Sequence, residues 1–256
     1  MILEDFILSS RANQSGSGVP GWEYSGLDIS DPDYKIGHWN GCADDYINSK
    51  TFKEYPYKIH YTFNSRGYRD AEWPDSFEEL SNSIWCLGDS FTVGLGSPYE
   101  HIWPQRLQKR LGKRTINVSM DGASNDWILR RTKRIVEEIN PKFIVIMWSY
   151  FNRRESPNED LSDEDRRLHW LDNPQITDLD DYLHWKTKVS EVKELSDNII
   201  QLCIPMDRPG IRRGVSWVDS QDEVIPVKSL DFGRDNHHFD IKTSEWVVDQ
   251  IQPLFL

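Results

Sequence analysis

Two short stretches of this 256-residue chain hold the side chains that could carry out covalent chemistry. In "LGDSFTVGLGS", Ser90 follows an apolar run and an acid, and further glycines come after it. In "DFGRDNHHFD", Asp235 stands three residues before His238. A serine becomes a nucleophile when a base accepts its proton and a third group orients that base. These residue types therefore point to acyl transfer.

The choice of histidine and acid depends on spacing along the chain. His237 could replace His238, and Asp231 or Asp240 could supply the carboxylate. The Asp235–His238 pair is the better match, because a three-residue separation in a tight loop lets the carboxylate reach one ring nitrogen while the other faces a nucleophile. The remaining histidines lie before or just after the serine motif, or beside tryptophans where packing is expected.

Other uses of a glycine-rich turn fit this sequence less well. The stretch "GDSFTVGLG" lacks the Lys-Ser/Thr of a P-loop and does not match G-x-G-x-x-G, so no nucleotide is predicted. Ser90 is not part of a G-x-S-x-G elbow, which argues against an ordinary α/β-hydrolase. The adjacent histidines have no Cys or acid cluster at metal-ligand spacing. We therefore expect no metal and no cofactor.

These residues need a scaffold that brings distant segments to one edge, and the sequence from residue 84 onwards indicates one. Apolar runs such as "SIWCLG" and "KFIVIMWS" alternate with amphipathic stretches such as "SNDWILRRTKRIVEEINP". Strands that alternate with helices predict βαβ units, and hence an α/β fold with three layers and a doubly wound, mainly parallel sheet. Ligands of such sheets bind at the carboxyl ends of the strands, where Ser90 would lie.

The two motifs, with a glycine block between them, resemble those of the SGNH (GDSL-type) hydrolases over roughly residues 82–252. In that family the Ser of the GDS block is the nucleophile, and a D-x-x-H block supplies the acid and the base. The resemblance implies a flavodoxin-like fold and a triad of Ser90, His238 and Asp235. The family's second block is a glycine whose backbone N–H binds the oxyanion, and "NVSMDGASND" supplies Gly122 at that place.

The family's third block is an Asn after the central strand, usually within G-x-N-D, and here the sequence departs from the pattern. "YFNRRE" follows "FIVIMWS", and Asn152 falls one residue late. Three arrangements stay open: Asn152 donates from a bulged loop, Asn125 contributes instead, or the oxyanion hole consists only of the N–H groups of Ser90 and Gly122. Asp89 and Asn125 are also candidate substrate contacts.

Residues 1–80 are predicted to form an N-terminal extension that packs on a hydrolase domain of residues 81–256. Within the extension, "YTFNSRGYRDAEWP" resembles a segment found just upstream of the GDS block in a bacterial and phage branch of the family. Its polar residues Asn64, Arg66 and Arg69 could reach over the edge of the site and bind substrate. The preferred interpretation is that this segment forms an edge strand and a turn that complete the packing of the domain, since apolar and polar residues alternate just before Asn64.

A polar insertion at residues 153–181 interrupts the predicted hydrolase domain and is rich in acids. Charged runs usually face water, so we expect a solvated and partly helical excursion. A lid over the site is the alternative. No internal repeat or low-complexity tract is visible.

Composition limits the partners and the location. Thirty basic and 42 acidic residues give a net charge of −12, which argues against a nucleic-acid-binding surface. The start of the chain has no secretion signal and no run is long enough to span a membrane. We therefore expect a soluble protein with no membrane partner, cytoplasmic or, if phage-encoded, associated with the virion. Eleven tryptophans favour either an aromatic-rich core or a carbohydrate surface, for which the candidates are Trp22, Trp39 and Trp73.

The sequence thus predicts a serine hydrolase that acts on a small-molecule or glycan ester, with an O-acetyl or other small-acyl ester of a carbohydrate as the leading substrate. An acyltransferase with the same triad would differ only in its acceptor. The alternative, suggested by the missing G-x-N-D block, is a carbohydrate-binding or structural component, for example of a phage particle, that keeps the fold without efficient turnover.

Overall fold

The fold is described from a computed structural model of the chain. The described ranges are residues 22–23, 36–39, 50–55, 59–156, 158, 176–204, 224–235 and 237–255. The start of the chain and most of the predicted insertion lie outside these ranges, and so does the expected lid or excursion. Within them, no helix combines the length and the apolar character that a membrane span requires.

The described ranges contain eight strands and seven α-helices. The strands are β1 (Trp22–Glu23), β2 (Ile36–Trp39), β3 (His60–Thr62), β4 (Ile84–Gly88), β5 (Thr115–Ser119), β6 (Phe143–Trp148), β7 (Ile199–Cys203) and β8 (Val224–Pro226). The helices are α1 (Lys50–Glu54), α2 (Phe77–Asn82), α3 (Ser90–Val93), α4 (Trp103–Leu111), α5 (Asn125–Glu138), α6 (Asp178–Leu195) and α7 (Ile241–Ile251).

The central sheet confirms the predicted α/β, doubly wound fold. Its five strands are all parallel and lie in the order β5-β4-β6-β7-β8, which is the 2-1-3-4-5 order of flavodoxin-like folds. The chain moves one way from β4 to β5 and the other way to β6, so right-handed crossovers place α4 and α5 on opposite faces. Helix α4 packs against α7, and α5 packs against α6, which completes three layers.

Local sequence explains where most of these elements begin and end. Strands β4 and β6 are apolar on both faces and almost fully buried, as expected for a sheet covered by helices on both sides. Helix α5 begins after Ser124, whose Oγ accepts a hydrogen bond from the Trp127 N–H, and α4 ends at Gly112 with φ +62°. Strand β8 was not predicted, because its three residues are too few to show a period.

The described residues 59–63 pack against the chain that follows Ser90. Ile59, Tyr61 and Phe63 are buried, as predicted for the apolar positions of this strand, and they form a cluster with Val93 and Leu95. Since those two residues follow Ser90 closely in sequence, the extension contacts the segment that carries the serine.

The tryptophans that the structure describes mainly build the core. Six of them are buried: Trp73, Trp85, Trp103, Trp127, Trp148 and Trp185. Trp73, a candidate for a sugar-binding surface, is only 8% exposed and stacks on Tyr68 at 5.3 Å between ring centroids. The side chains of Trp22 and Trp39 lie outside the described part of the structure. The aromatic-rich core is therefore the interpretation that fits the described tryptophans.

Candidate active site

Ser90 lies where strand β4 ends and the short helix α3 begins. Asp89 is the N-cap of that helix, and its Oδ1 accepts a hydrogen bond of 3.0 Å from the Phe91 N–H. Gly88 precedes the cap because a Cβ there would lie 2.1 Å from Thr92 Oγ1. The Gly-Asp-Ser order therefore has a local reason: a close approach, a cap, and the first residue of the helix.

The structure brings Ser90, His238 and Asp235 together. Ser90 Oγ lies 2.7 Å from His238 Nε2, and His238 Nδ1 lies 2.5 Å from Asp235 Oδ2. An ionised carboxylate only accepts hydrogen bonds, so Nδ1 carries the ring proton and Nε2 accepts from the serine hydroxyl. All three residues are buried. This is the order of contacts that a serine nucleophile, its base and an orienting acid require.

The loop before α7 holds Asp235 in one orientation. Its Oδ1 accepts hydrogen bonds from the backbone N–H groups of His237 and His238, at 2.9 and 3.0 Å. Burial acts to raise the pKa of Asp235, but the adjacent His238 and these hydrogen bonds outweigh it, and the pKa lies below its ordinary value. Asp235 is therefore a carboxylate at neutral pH.

The alternatives for the base and the acid are occupied elsewhere or face solvent. Asp231 accepts hydrogen bonds from Lys242 N and Thr243 N at the start of α7. Asp240 Oδ1 accepts a hydrogen bond of 2.9 Å from Ser97 Oγ. His237 is exposed, in contrast to the buried His238.

Gly122 lies in the loop that follows β5, directly beside the loop that carries Ser90. Strands β4 and β5 are adjacent and parallel with Gly88 opposite Ser119, and the Met120 N–H donates to the Gly88 carbonyl at 3.2 Å. Gly122 has φ +65°, in the left-handed region that favours glycine. The two predicted backbone donors therefore come from neighbouring loops at one edge of the sheet.

Asn125 and Asn152 have different roles in the loop that follows β6, here called the β6 loop (residues 149–156). The buried Asn125 accepts from Ser149 N and donates to Tyr150 O, both at 2.9 Å. Its amide thus holds the loop backbone. Asn152 lies half-buried in a turn of that loop, and its side-chain amide hydrogen-bonds to no described residue. Of the two asparagines, Asn152 is the one whose amide is available to a ligand.

Two of the predicted substrate contacts, Asp89 and Asn64, are buried and hydrogen-bond within the protein. The Asp89 side chain is fully buried, with Oδ1 on Phe91 N and Oδ2 accepting a 2.5 Å hydrogen bond from Ser149 Oγ. It therefore ties the serine-bearing turn to the β6 loop and does not face a substrate. Asn64 is also buried, and its Oδ1 accepts from Arg66 N and Tyr68 N, at 2.9 and 3.1 Å, within its own turn. These contacts agree with the preferred interpretation of the segment that contains Asn64, an edge strand and turn that complete the packing.

The arginines of the same segment also pack against the protein. The Arg66 guanidinium lies over the Trp73 ring at 4.9 Å. Arg69 is fully buried and donates hydrogen bonds to carbonyls of the chain just after α3. Sequence patterns did not predict this contact of Arg69 or the hydrogen bond of Ser149 to Asp89, because each joins residues more than twenty positions apart. The one sequence signal is the second glycine cluster, "GLG", which marks the turn that Arg69 binds.

Comparison with known proteins shows likeness in fold. No family model and no curated protein matches the sequence. Among solved structures, TesA is 17% identical, with a TM-score of 0.44 over 67% of this chain and 97% of that one. A lipolytic protein of the G-D-S-L family from Desulfitobacterium hafniense is 13% identical, with a TM-score of 0.41 over 66% and 98%. A family two carbohydrate esterase from Clostridium thermocellum is 14% identical, with a TM-score of 0.42 over 73% and 66%.

These TM-scores lie below 0.5, so the likeness carries no argument about the activity of this chain.

Proposed function

We propose that this chain is an ester hydrolase of the SGNH type, with Ser90 as nucleophile, His238 as general base and acid, and Asp235 as the orienting carboxylate. One observation carries the proposal: the continuous hydrogen-bond path from Ser90 Oγ through both nitrogens of His238 to Asp235. A serine without such a path is a weak nucleophile at neutral pH.

The proposed reaction has two acyl-transfer steps. Ser90 Oγ bonds to the ester carbonyl carbon while His238 Nε2 takes the hydroxyl proton, and the Asp235 carboxylate stabilises the imidazolium. The carbon–oxygen bond to the alcohol then breaks, and His238 gives the proton to the departing alcohol. Water attacks the acyl-serine by the same route and releases the carboxylic acid. The N–H groups of Ser90 and Gly122 and the amide of Asn152 are the proposed donors to the oxyanion.

For the substrate we propose a small-acyl ester. Ser90 is only 3% exposed and lies beside the Phe91 ring, which contacts the His238 ring at 4.6 Å between centroids. A nucleophile so enclosed favours a short acyl group over a long chain. A sugar as the alcohol part stays a prediction, because six of the described tryptophans are buried in the core.

Labelling with a fluorophosphonate probe tests the proposal directly. The wild-type chain is expected to react, and Ser90→Ala and His238→Ala are expected not to. Ser83→Ala is a matched control, since this buried serine precedes β4 and, among the described residues, its Oγ donates to the Glu79 carbonyl alone. Equal labelling of wild type and Ser90→Ala would refute the assignment.

A substrate panel then separates the three functions predicted from sequence. Acetyl, butyryl and octanoyl esters of p-nitrophenol test the acyl group, and acetylated sugars test the alcohol. Hydrolysis that prefers acetyl and depends on Ser90 supports the proposal. Acyl transfer to an added sugar would identify an acyltransferase, and glycan binding without turnover would favour the structural component.

A further inference from the structure

A fully buried cation, the guanidinium of Arg69, donates hydrogen bonds to the backbone of the chain that follows Ser90. Arg69 donates through Nη1 to the carbonyls of Val93 and Gly94, at 3.0 and 2.5 Å, and through Nη2 to the Ser97 carbonyl at 2.8 Å. Burying a guanidinium is costly unless hydrogen bonds compensate for the lost water. Here three backbone carbonyls of one turn bind its two terminal nitrogens, so Arg69 and the turn are ordered together.

A second side chain from the same upstream segment (residues 59–73) contacts this turn. The Arg69 guanidinium lies 4.3 Å from the centroid of the Tyr61 ring, and the Tyr61 hydroxyl oxygen accepts a 2.9 Å hydrogen bond from the Gly96 N–H. The upstream segment therefore binds both donors and acceptors of residues 93–97. A planar guanidinium suits this task because its donors form a rigid fork.

The turn that Arg69 holds joins the serine to the acid. On one side, the N–H groups of Gly94 and Leu95 donate to the Ser90 carbonyl, at 2.9 and 3.2 Å. On the other side, the Gly96 carbonyl accepts a 3.0 Å hydrogen bond from the N–H of Arg234. Gly96 has φ +76°, and a Cβ there would lie 2.8 Å from Asp235 Oδ1. The backbone of residues 94–96 thus lies between Ser90 and Asp235.

We infer that Arg69 is a positioning residue for the Ser90–His238–Asp235 arrangement, acting through the backbone of residues 93–97. The expected effect on catalysis rests on the proposed function, whereas the effect of Arg69 on the Ser90–His238–Asp235 geometry can be measured in a chain that shows no turnover. Displacement of the turn would move Ser90. It would also move Gly96 away from Asp235, which would loosen the hydrogen bond between Asp235 and His238. Besides Asp235, the groups that face the His238 ring are Ser90, Phe91 and His237.

Arg69→Met tests this role, because methionine keeps much of the volume and removes the donors. Two measurements are needed: turnover of the best ester from the panel, and the downfield proton NMR signal of His238 Nδ1–H, assigned by its loss in Asp235→Ala. We expect a fall in kcat of about 10–100-fold with KM within about twofold, since small misplacements of reacting groups lower rates by such factors. We also expect the NMR signal to broaden or vanish through faster exchange.

Arg106→Met is the matched control. Arg106 lies on α4, pairs with Glu245 of α7 at 2.9 Å and does not contact residues 93–97. It is expected to keep the NMR signal and the kcat of the wild type, whatever its cost in stability. Tyr61→Phe is the milder second variant, which removes only the hydroxyl that accepts from Gly96, and a fall in kcat of about threefold is expected from a small displacement.

Two outcomes would overturn the inference. One is a folded Arg69→Met with the signal and kcat of the wild type, and the other is an equal loss in Arg106→Met. If Arg69→Met does not fold, Tyr61→Phe decides: unchanged kcat and an unchanged NMR signal overturn the inference. A wild-type chain that neither labels nor hydrolyses esters refutes the proposed function, while the NMR comparison still tests the positioning role.

Discussion

Two loops leave the carboxyl edge of the sheet beside the site, and the protein holds them by different means. The serine loop (residues 89–97), after β4, is fixed by backbone hydrogen bonds to the buried Arg69 and Tyr61. The β6 loop is fixed by Asn125 and by ionic contacts of Glu155 with Arg130, whose side chain is 40% exposed. Arg69 and Tyr61 hold the serine loop through its backbone, whereas the β6 loop also depends on an ion pair between the buried Glu155 and a partly exposed arginine.

The difference indicates a division of tasks. The contacts between Arg69 and the serine loop join a guanidinium to neutral backbone carbonyls, so they do not depend on the charge of a carboxylate. Ion pairs depend on the charge of their carboxylates, and a pair with one partly exposed partner is also screened to some degree by salt. The β6 loop should therefore be the part of the site that responds to solution conditions. The Ser149–Asp89 hydrogen bond is the direct link between the two loops.

The largest expected effect distinguishes the two asparagines of the β6 loop region. Asn152→Ala should lower kcat by about 10²–10³-fold, as loss of one oxyanion donor does, with little change in stability. Asn125→Ala should instead destabilise the fold by about 2 kcal/mol, because it leaves Ser149 N and Tyr150 O without their partner. Steady-state kinetics and urea unfolding of both variants check this. An active Asn152→Ala would mean that the oxyanion hole has only backbone donors.

The next effect concerns the glycine turn of the serine loop. Gly96→Ala should lower kcat/KM by about 100-fold, because the new methyl group would displace Asp235. Gly112→Ala is the matched control: Gly112 also has positive φ, yet a Cβ there has no atom within 4 Å. Both variants should lose about 1 kcal/mol of stability from left-handed strain, Gly96→Ala should lose more because of the close contact with Asp235, and only Gly96→Ala should lose activity. Equal activities of Gly96→Ala and Gly112→Ala would contradict the prediction that the close approach to Asp235, and not backbone strain, lowers activity.

The smallest effect tests the charge dependence of the β6 loop. Asp126 accepts a 2.9 Å hydrogen bond from Glu155 N and pairs with the Lys188 ammonium at 2.6 Å. Burial acts to raise the pKa of Asp126, but the hydrogen bond from His184 and the charge of Lys188 outweigh it, and the pKa lies well below its ordinary value. Asp126→Asn should cost about 2 kcal/mol at pH 7, since it leaves the mostly buried Lys188 unpaired.

The sign of the pH dependence follows from that lowered pKa. The stabilisation by Asp126 is complete above the pKa of an aspartate in the unfolded chain, about 4, and is lost as the pH falls through the lower folded value. Urea unfolding at pH 7, 5 and 3 should therefore show a constant gap between wild type and Asp126→Asn down to about pH 5 and a smaller gap at pH 3. A gap that widens on acidification would contradict this account.

Much of the fold was predictable because its signals are local. Strands such as β4 and β6 are recognisable in the sequence as apolar runs. Ser124 begins a helix and Gly112 ends one, each within a residue or two of the expected place. Strand β8 was not predicted because three residues are too few to show a period, and it is recognised in the structure by its pairing with β7. The tryptophan count indicated aromatic surface or core, and only burial could decide between them.

The sequence by itself determined the chemistry-bearing triplet, because each half of it is local. Gly-Asp-Ser sets a close approach, a cap and a helix start, and the Asp235–His238 spacing lets one carboxylate bind both a backbone N–H and the ring. Only the tertiary structure decided the parts that support it: that Asp89 is buried against Ser149, and that Arg69 holds the turn behind Asp235. Such contacts join segments distant in sequence, and their partners are mostly backbone groups that every residue carries. No pattern of residue types could have specified them.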